Sequence, residues 1–106
     1  MAMLVELLFW EGCPSHPRAL AELRAALGEA GLADASVSVR EVRTLEEARA
    51  ERFPGSPTIR IDGRDLLDPV DEPPALACRL YRLRDGRPSP VPDPEDLRDA
   101  LRAARH

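Results

Sequence analysis

The chain has 106 residues, 43% of them hydrophobic and 32% charged, with a net charge of −4. This is the length of one domain, 1–106, with a single modest core, and the composition excludes disorder across the whole chain. With no basic tract and no apolar run near the roughly 20 residues that span a bilayer, neither nucleic acid nor membrane is an expected partner. The N-terminus lacks a basic flank, an extended apolar segment and a small-residue cleavage site, so a cytoplasmic location is expected. Two cysteines in a reducing compartment suit reactivity or metal binding better than a structural staple.

Met3 to Trp10, MLVELLFW, is nearly continuous apolar with one Glu, the pattern of a central strand covered on both faces. Gly12 and Pro14 punctuate the turn after it. From Pro17 to Ala30, Leu20, Leu23, Ala26, Leu27 and Ala30 recur at helical spacing, with charges on the other faces and Gly31 as the stop. Ala35 to Val42 alternates valine with polar residues and predicts a second strand. Thr44-Leu45-Glu46-Glu47 matches a capping box, opening a short helix that Pro54 ends near Phe53.

Pro57 to Ile61 predicts a third strand, Asp62-Gly63 a two-residue hairpin turn, and Arg64 to Leu67 a fourth strand. Asp68 to Pro74 reads as a loop; its acids Asp68, Asp71 and Glu72 are too sparse for an oxygen-ligand metal site. Ala77 to Leu83 alternates and predicts a further strand, with Asp85-Gly86 as a second turn and Arg87 to Pro92 irregular. Asp93 caps a last helix with Pro94 in its first position and Leu97, Ala100, Leu101 and Ala104 on its apolar face. The only other histidine besides His16 is His106, at a frayed end.

The order β-α-β-α-β-β…α predicts an α/β fold with a mixed four- to five-stranded sheet flanked by helices. Its chemical candidate is Gly12-Cys13-Pro14-Ser15-His16, at the junction of strand and helix. A helix N-terminus offers free N–H groups and the positive end of the dipole, both of which stabilise a thiolate against its ordinary pKa of about 8.5. His16 lies about one helical turn on, so its ring is a candidate partner for the sulfur or proton donor to a leaving group. Ordinary packing of Cys13 and simple solvation of His16 are the competing readings.

Met3 to Leu67 resembles thioredoxin and glutaredoxin-like proteins: strand, Cys-Pro at a helix start, strand, helix, then Gly55-Ser56-Pro57-Thr58. The resemblance implies a thioredoxin-like fold, a cis Pro57 packed on the active cysteine, and a Ser56 backbone that pairs with a bound peptide or thiol. Trp10 and Pro14 would wall the site. The second cysteine of the redox motif is replaced by His16, which excludes a dithiol cycle within the motif. Three mechanisms stay open: a monothiol reaction using a small thiol, a distant resolving Cys78, or no redox turnover.

Cys78 falls in the predicted strand Ala77 to Leu83, where a cysteine is usually packing. If it approaches Cys13, the pair can close a reversible disulfide or clamp a soft metal. In order and spacing, Cys13, His16 and Cys78 also resemble the thioredoxin-like portion of alkylmercury lyases, with His16 in place of an acid. The leading expectation is a thiol–disulfide oxidoreductase without cofactor, with Cys13 as the attacking thiolate and Cys78 as the candidate resolving thiol. Its substrate would be a small thiol or a protein disulfide. The alternatives are a soft-metal or organomercurial thiol site built on Cys13 and Cys78, and a non-catalytic binding domain.

Overall fold

A computed structural model describes residues 3–67 and 71–104. Asp68 of the predicted loop and the terminal His106 lie outside the described residues. In chain order the elements are β1 (Val5–Phe9), α1 (His16–Glu29), β2 (Val37–Glu41), α2 (Leu45–Glu51), β3 (Thr58–Ile61), β4 (Arg64–Asp65), β5 (Tyr81–Arg82), β6 (Pro88–Ser89) and α3 (Pro94–Ala104). The architecture is mixed α/β. Its sheet runs β2-β1-β3-β4, with β1 parallel to β2 and antiparallel to β3, and β4 antiparallel to β3.

β1 is central because both its faces are apolar. Val5 and Leu7 pack with Ala19, Leu23 and Leu27 of α1 and Leu97 and Leu101 of α3. On the opposite face Leu8 packs with Val42, Ala48 of α2 and Phe53. In register, Leu7 stands between Val39 and Ile59. The one charge in this apolar run, Glu6, pairs with Arg40 of β2 at 3.0 Å. Arg40 and Arg60 in turn both reach Glu51 of α2, so a charged strip closes the α2 side of the sheet.

Helix boundaries follow local rules. α1 ends in a Schellman arrangement: Gly31 takes φ 74°, its N–H donates to Gly28 O, and Leu32 N–H donates to Leu27 O. Thr44 Oγ1 accepts from Glu47 N–H as a capping box requires, but the Glu47 carboxylate reaches Arg43 N–H, one residue earlier than that motif implies. Asp93 accepts from Glu95 N–H at the start of α3. Asp62 and Gly63 both take positive φ, the requirement of a two-residue type I′ turn between β3 and β4.

Two expectations are corrected. The predicted strand Ala77 to Leu83 shrinks to Tyr81–Arg82, and it pairs with Pro88–Ser89 in a separate two-stranded ribbon instead of extending the sheet. Residues 77–79 spend their backbone groups elsewhere: Ser56 N–H donates to Ala77 O and Arg79 N–H donates to Ser56 O. The run is therefore divided between two partners. The segment expected to be irregular, Arg87 to Pro92, supplies the ribbon's second strand. Arg84 fastens this ribbon to α3, with Asp96 at 2.8 Å, Glu95 at 2.9 Å and Asp99 at 2.7 Å. No described helix is long and apolar enough to cross a membrane.

Candidate functional site around Cys13 and Cys78

The turn after β1 places Cys13. Its N–H donates to Trp10 O at 3.0 Å, closing a four-residue turn, and Trp10 N–H donates to Ser56 Oγ at 3.0 Å, tying that turn to the segment before β3. Gly12 leaves space for the Trp10 ring, which folds back over it: a Cβ at this position would run into that ring and displace it. Trp10 itself packs against the Leu8–Phe53 cluster. Pro14 is exposed.

Cys13 and Cys78 are joined as a disulfide, with Cα atoms 5.4 Å apart and 65 residues between them in sequence. Their environments differ sharply. Cys13 is 1% exposed, whereas Cys78 lies at the surface. Cys13 Sγ has Ser15 Oγ and Ser56 O each at 3.5 Å. Ser15 occupies the N-cap of α1 but makes no side-chain cap bond, so its hydroxyl faces the sulfur and the first-turn N–H groups keep no side-chain acceptor there. The Ser56–Pro57 bond is cis, and Ser56 and Pro57 are fully buried beside the cysteines.

Three further contacts hold Cys78 over Cys13. Ser56 and Cys78 form an isolated parallel bridge. Gly55, at φ 138°, allows that approach: a Cβ there would stand 3.1 Å from Arg79 Cα and Cβ. Next to Cys78, the buried Arg79 guanidinium grips Asp65 through two bonds of 2.7 and 3.1 Å and lies 4.7 Å from the centre of the Tyr81 ring. Burial works against the Arg79 charge, but the hydrogen bonds and field of Asp65, with Tyr81 and Glu72 adding, hold its pKa above the ordinary value. Tyr81 donates to Pro57 O at 2.6 Å; burial pushes its phenol well above the usual range, with the field of Asp65 acting the same way and Arg79 opposing.

Of the residues singled out from sequence, Cys13, Cys78, Ser56 and Pro57 come together, and Trp10 is tied to them through its backbone. His16 goes elsewhere. Its ring stacks on Phe9 with centroids 4.1 Å apart, and among the described residues its buried Nδ1 has no hydrogen-bond partner. Ser15, Gly55, Asp65, Arg79 and Tyr81 were missed as site residues. Ser15 had a signal, since an N-cap hydroxyl two residues after a cysteine is within reach of its sulfur; the other four reveal themselves only in tertiary contact.

Among the described residues no three His, Cys, Asp or Glu side chains gather as metal ligands. A cleft of about 630 Å³ is lined by Arg49, Glu51, Arg52, Arg60, Arg64 and Asp65, among others, but neither cysteine reaches it. Compared with protein-family models, with curated proteins and with solved structures, the chain matches none.

Proposed function

We propose that this chain is a thioredoxin-like thiol–disulfide oxidoreductase whose redox pair is Cys13 and Cys78. The observation that carries this reading is the pairing itself: a cysteine at the start of α1 meets one 65 residues away, on a Cα separation of 5.4 Å. That separation lies within the usual span of a disulfide. The surroundings support reversibility. The N-terminus of α1 and the Ser15 hydroxyl favour a thiolate at Cys13 when the bond opens. The Asp65–Arg79–Tyr81–Pro57 contacts keep Cys78 near it without needing the covalent link. The position of Ser56-Pro57 beside Cys13 fits the resemblance to thioredoxin and glutaredoxin-like proteins.

The organomercurial reading asks His16 to deliver a proton at Cys13. The stacking of His16 on Phe9 favours thiol exchange over it.

A redox titration tests the proposal. Equilibrating the protein with glutathione buffers of graded potential and counting free thiols by mass spectrometry is expected to show a two-electron transition within the range of cellular glutathione, roughly −180 to −320 mV. A bond that stays closed throughout that range would make it a structural staple. Closing a loop of this length stabilises the fold by about 4 kcal/mol on chain entropy alone, so folding is monitored in the same samples.

A further inference from the structure

We infer that, in the exchange proposed above, the sulfur attacked by an external thiol is Cys78 and that the attacking partner is a small monothiol. This rests on the oxidoreductase reading and reverses the roles expected from sequence, where Cys13 attacks and Cys78 resolves. A thiolate approaches a disulfide along the S–S axis, from the side opposite the leaving sulfur, so access decides which sulfur is struck. Cys13 is 1% exposed, with Ser15 Oγ and Ser56 O packed at 3.5 Å from its sulfur. Only Cys78 presents surface to solvent.

The leaving group points the same way. Attack on Cys78 expels Cys13 as a thiolate at the N-terminus of α1 beside the Ser15 hydroxyl, and a stabilised thiolate leaves faster. The balanced sequence has two steps. The thiolate RS⁻ bonds to Cys78 Sγ as the Cys13–Cys78 bond breaks, giving a mixed disulfide and the Cys13 thiolate. A second RS⁻ attacks the R-bearing sulfur, giving RSSR and the Cys78 thiolate, so that two thiols are oxidised and one disulfide is reduced. In reverse, the Cys78 thiolate attacks RSSR and Cys13 closes the ring.

The size of the partner follows from the backbone around the pair. An extended polypeptide docks beside a buried cysteine by pairing with a free backbone edge. Here the N–H and C=O of Ser56 are both taken by the chain's own residues, Ala77 and Arg79, and Ala75 N–H is bonded to Phe53 O just before them. Arg79, gripping Asp65, and Tyr81, bonded to Pro57 O, anchor that segment independently of the disulfide. The Ser56 edge is therefore self-occupied, and a small monothiol, which needs no backbone edge but only the exposed Cys78, is the partner this arrangement favours.

The test uses the full chain, oxidised, pulsed with reduced glutathione, acid-quenched, capped with N-ethylmaleimide and mapped after cleavage at arginine. Glutathione is expected on the Cys78 peptide in about tenfold excess over the Cys13 peptide, with the maleimide on Cys13. In case the adduct is too short-lived to trap, the single variants are compared. Cys13→Ser, which keeps Cys78, is expected to react with oxidised glutathione about tenfold faster than Cys78→Ser. Glutathione mainly on Cys13, or the reverse ranking of the variants, overturns the inference and leaves the oxidoreductase reading standing. A pair that no monothiol opens defeats that reading itself. As a third arm, an unfolded cysteine-containing peptide at equal thiolate concentration is expected to open the bond no faster than glutathione. A peptide about tenfold faster would show backbone docking and overturn the choice of partner.

Discussion

Ser56 and Cys78 face each other in a single parallel bridge, and that bridge sets the second cysteine over the first. The approach is close: a Cβ on Gly55 would stand 3.1 Å from Arg79 Cα and Cβ, so Arg79 would have to give way, and the Gly55 φ of 138° is one that other residues rarely adopt. Gly55→Ala is expected to cost about 1–3 kcal/mol in the reduced protein. It should also slow closure of the Cys13–Cys78 bond by lifting Arg79, and with it Cys78, off Ser56. Urea unfolding of the reduced protein and the rate of air-independent oxidation by oxidised glutathione measure the two effects. Closure at the wild-type rate would show that the segment 77–79 reaches Cys13 without this contact.

Arg79 and Asp65 form the anchor beside Cys78, and with side chains 2% and 9% exposed they are almost out of water. Breaking such a pair on one side leaves a buried charge unmatched, whereas removing both partners does not. Asp65→Ala is expected to destabilise by about 3–5 kcal/mol. Adding Arg79→Met to Asp65→Ala should recover most of that loss in a urea titration. If the double variant is as unstable as the single one, the cost lies in lost packing and not in the stranded guanidinium.

Stability should fall on the acid side through identifiable carboxylates. The Arg40 hydrogen bond, with Arg60 adding, holds Glu51 below the usual carboxylate range. The N–H groups of Arg84 and Glu95 lower Asp93, and the Arg84 guanidinium lowers Asp99. Because folded pKa values below the unfolded ones favour the folded state only while the groups are ionised, their contribution is complete above about pH 4–5 and lost below it. Tyr81 has the opposite sign: its raised pKa favours folding below about pH 10, and that contribution is lost above it. Urea midpoints of the oxidised protein across this range are expected to form a plateau with both shoulders. Arg84→Ala should reduce the acid shoulder, and an unchanged shoulder would remove the Arg84–Asp99 pair from the account.

Much of the frame was legible because its signals are local. The run from Met3 to Trp10 predicts a strand buried on both faces, and Leu7 and Leu8 do pack on opposite sides of the sheet. Gly31, Thr44, Asp62-Gly63 and Asp93 each mark a boundary through groups no more than a few residues away. Of the alternation from Ala77 to Leu83, only the stretch from Cys78 to Arg82 alternates in burial, with Arg79 and Tyr81 buried and Cys78, Leu80 and Arg82 exposed, while Ala77 is exposed beside Cys78. What periodicity could not tell is that the inward residue would be an arginine with a buried carboxylate partner, or that one run would serve two backbone partners.

Legible in the residues alone were the element order from β1 to β4 with the closing α3, the junction that presents Cys13 at the start of α1, and the absence of a second cysteine within that motif. These depend on spacing and on short-range backbone needs, which a linear reading captures. That Cys78 meets Cys13 and that His16 turns to Phe9 becomes visible only in three dimensions. Both outcomes are settled by burial. Arg79 enters the interior only where Asp65 neutralises it, and Gly55 leaves the space through which its backbone arrives. The flat His16 ring finds its apolar contact on Phe9 at the end of β1, not on the sulfur one turn behind it in sequence.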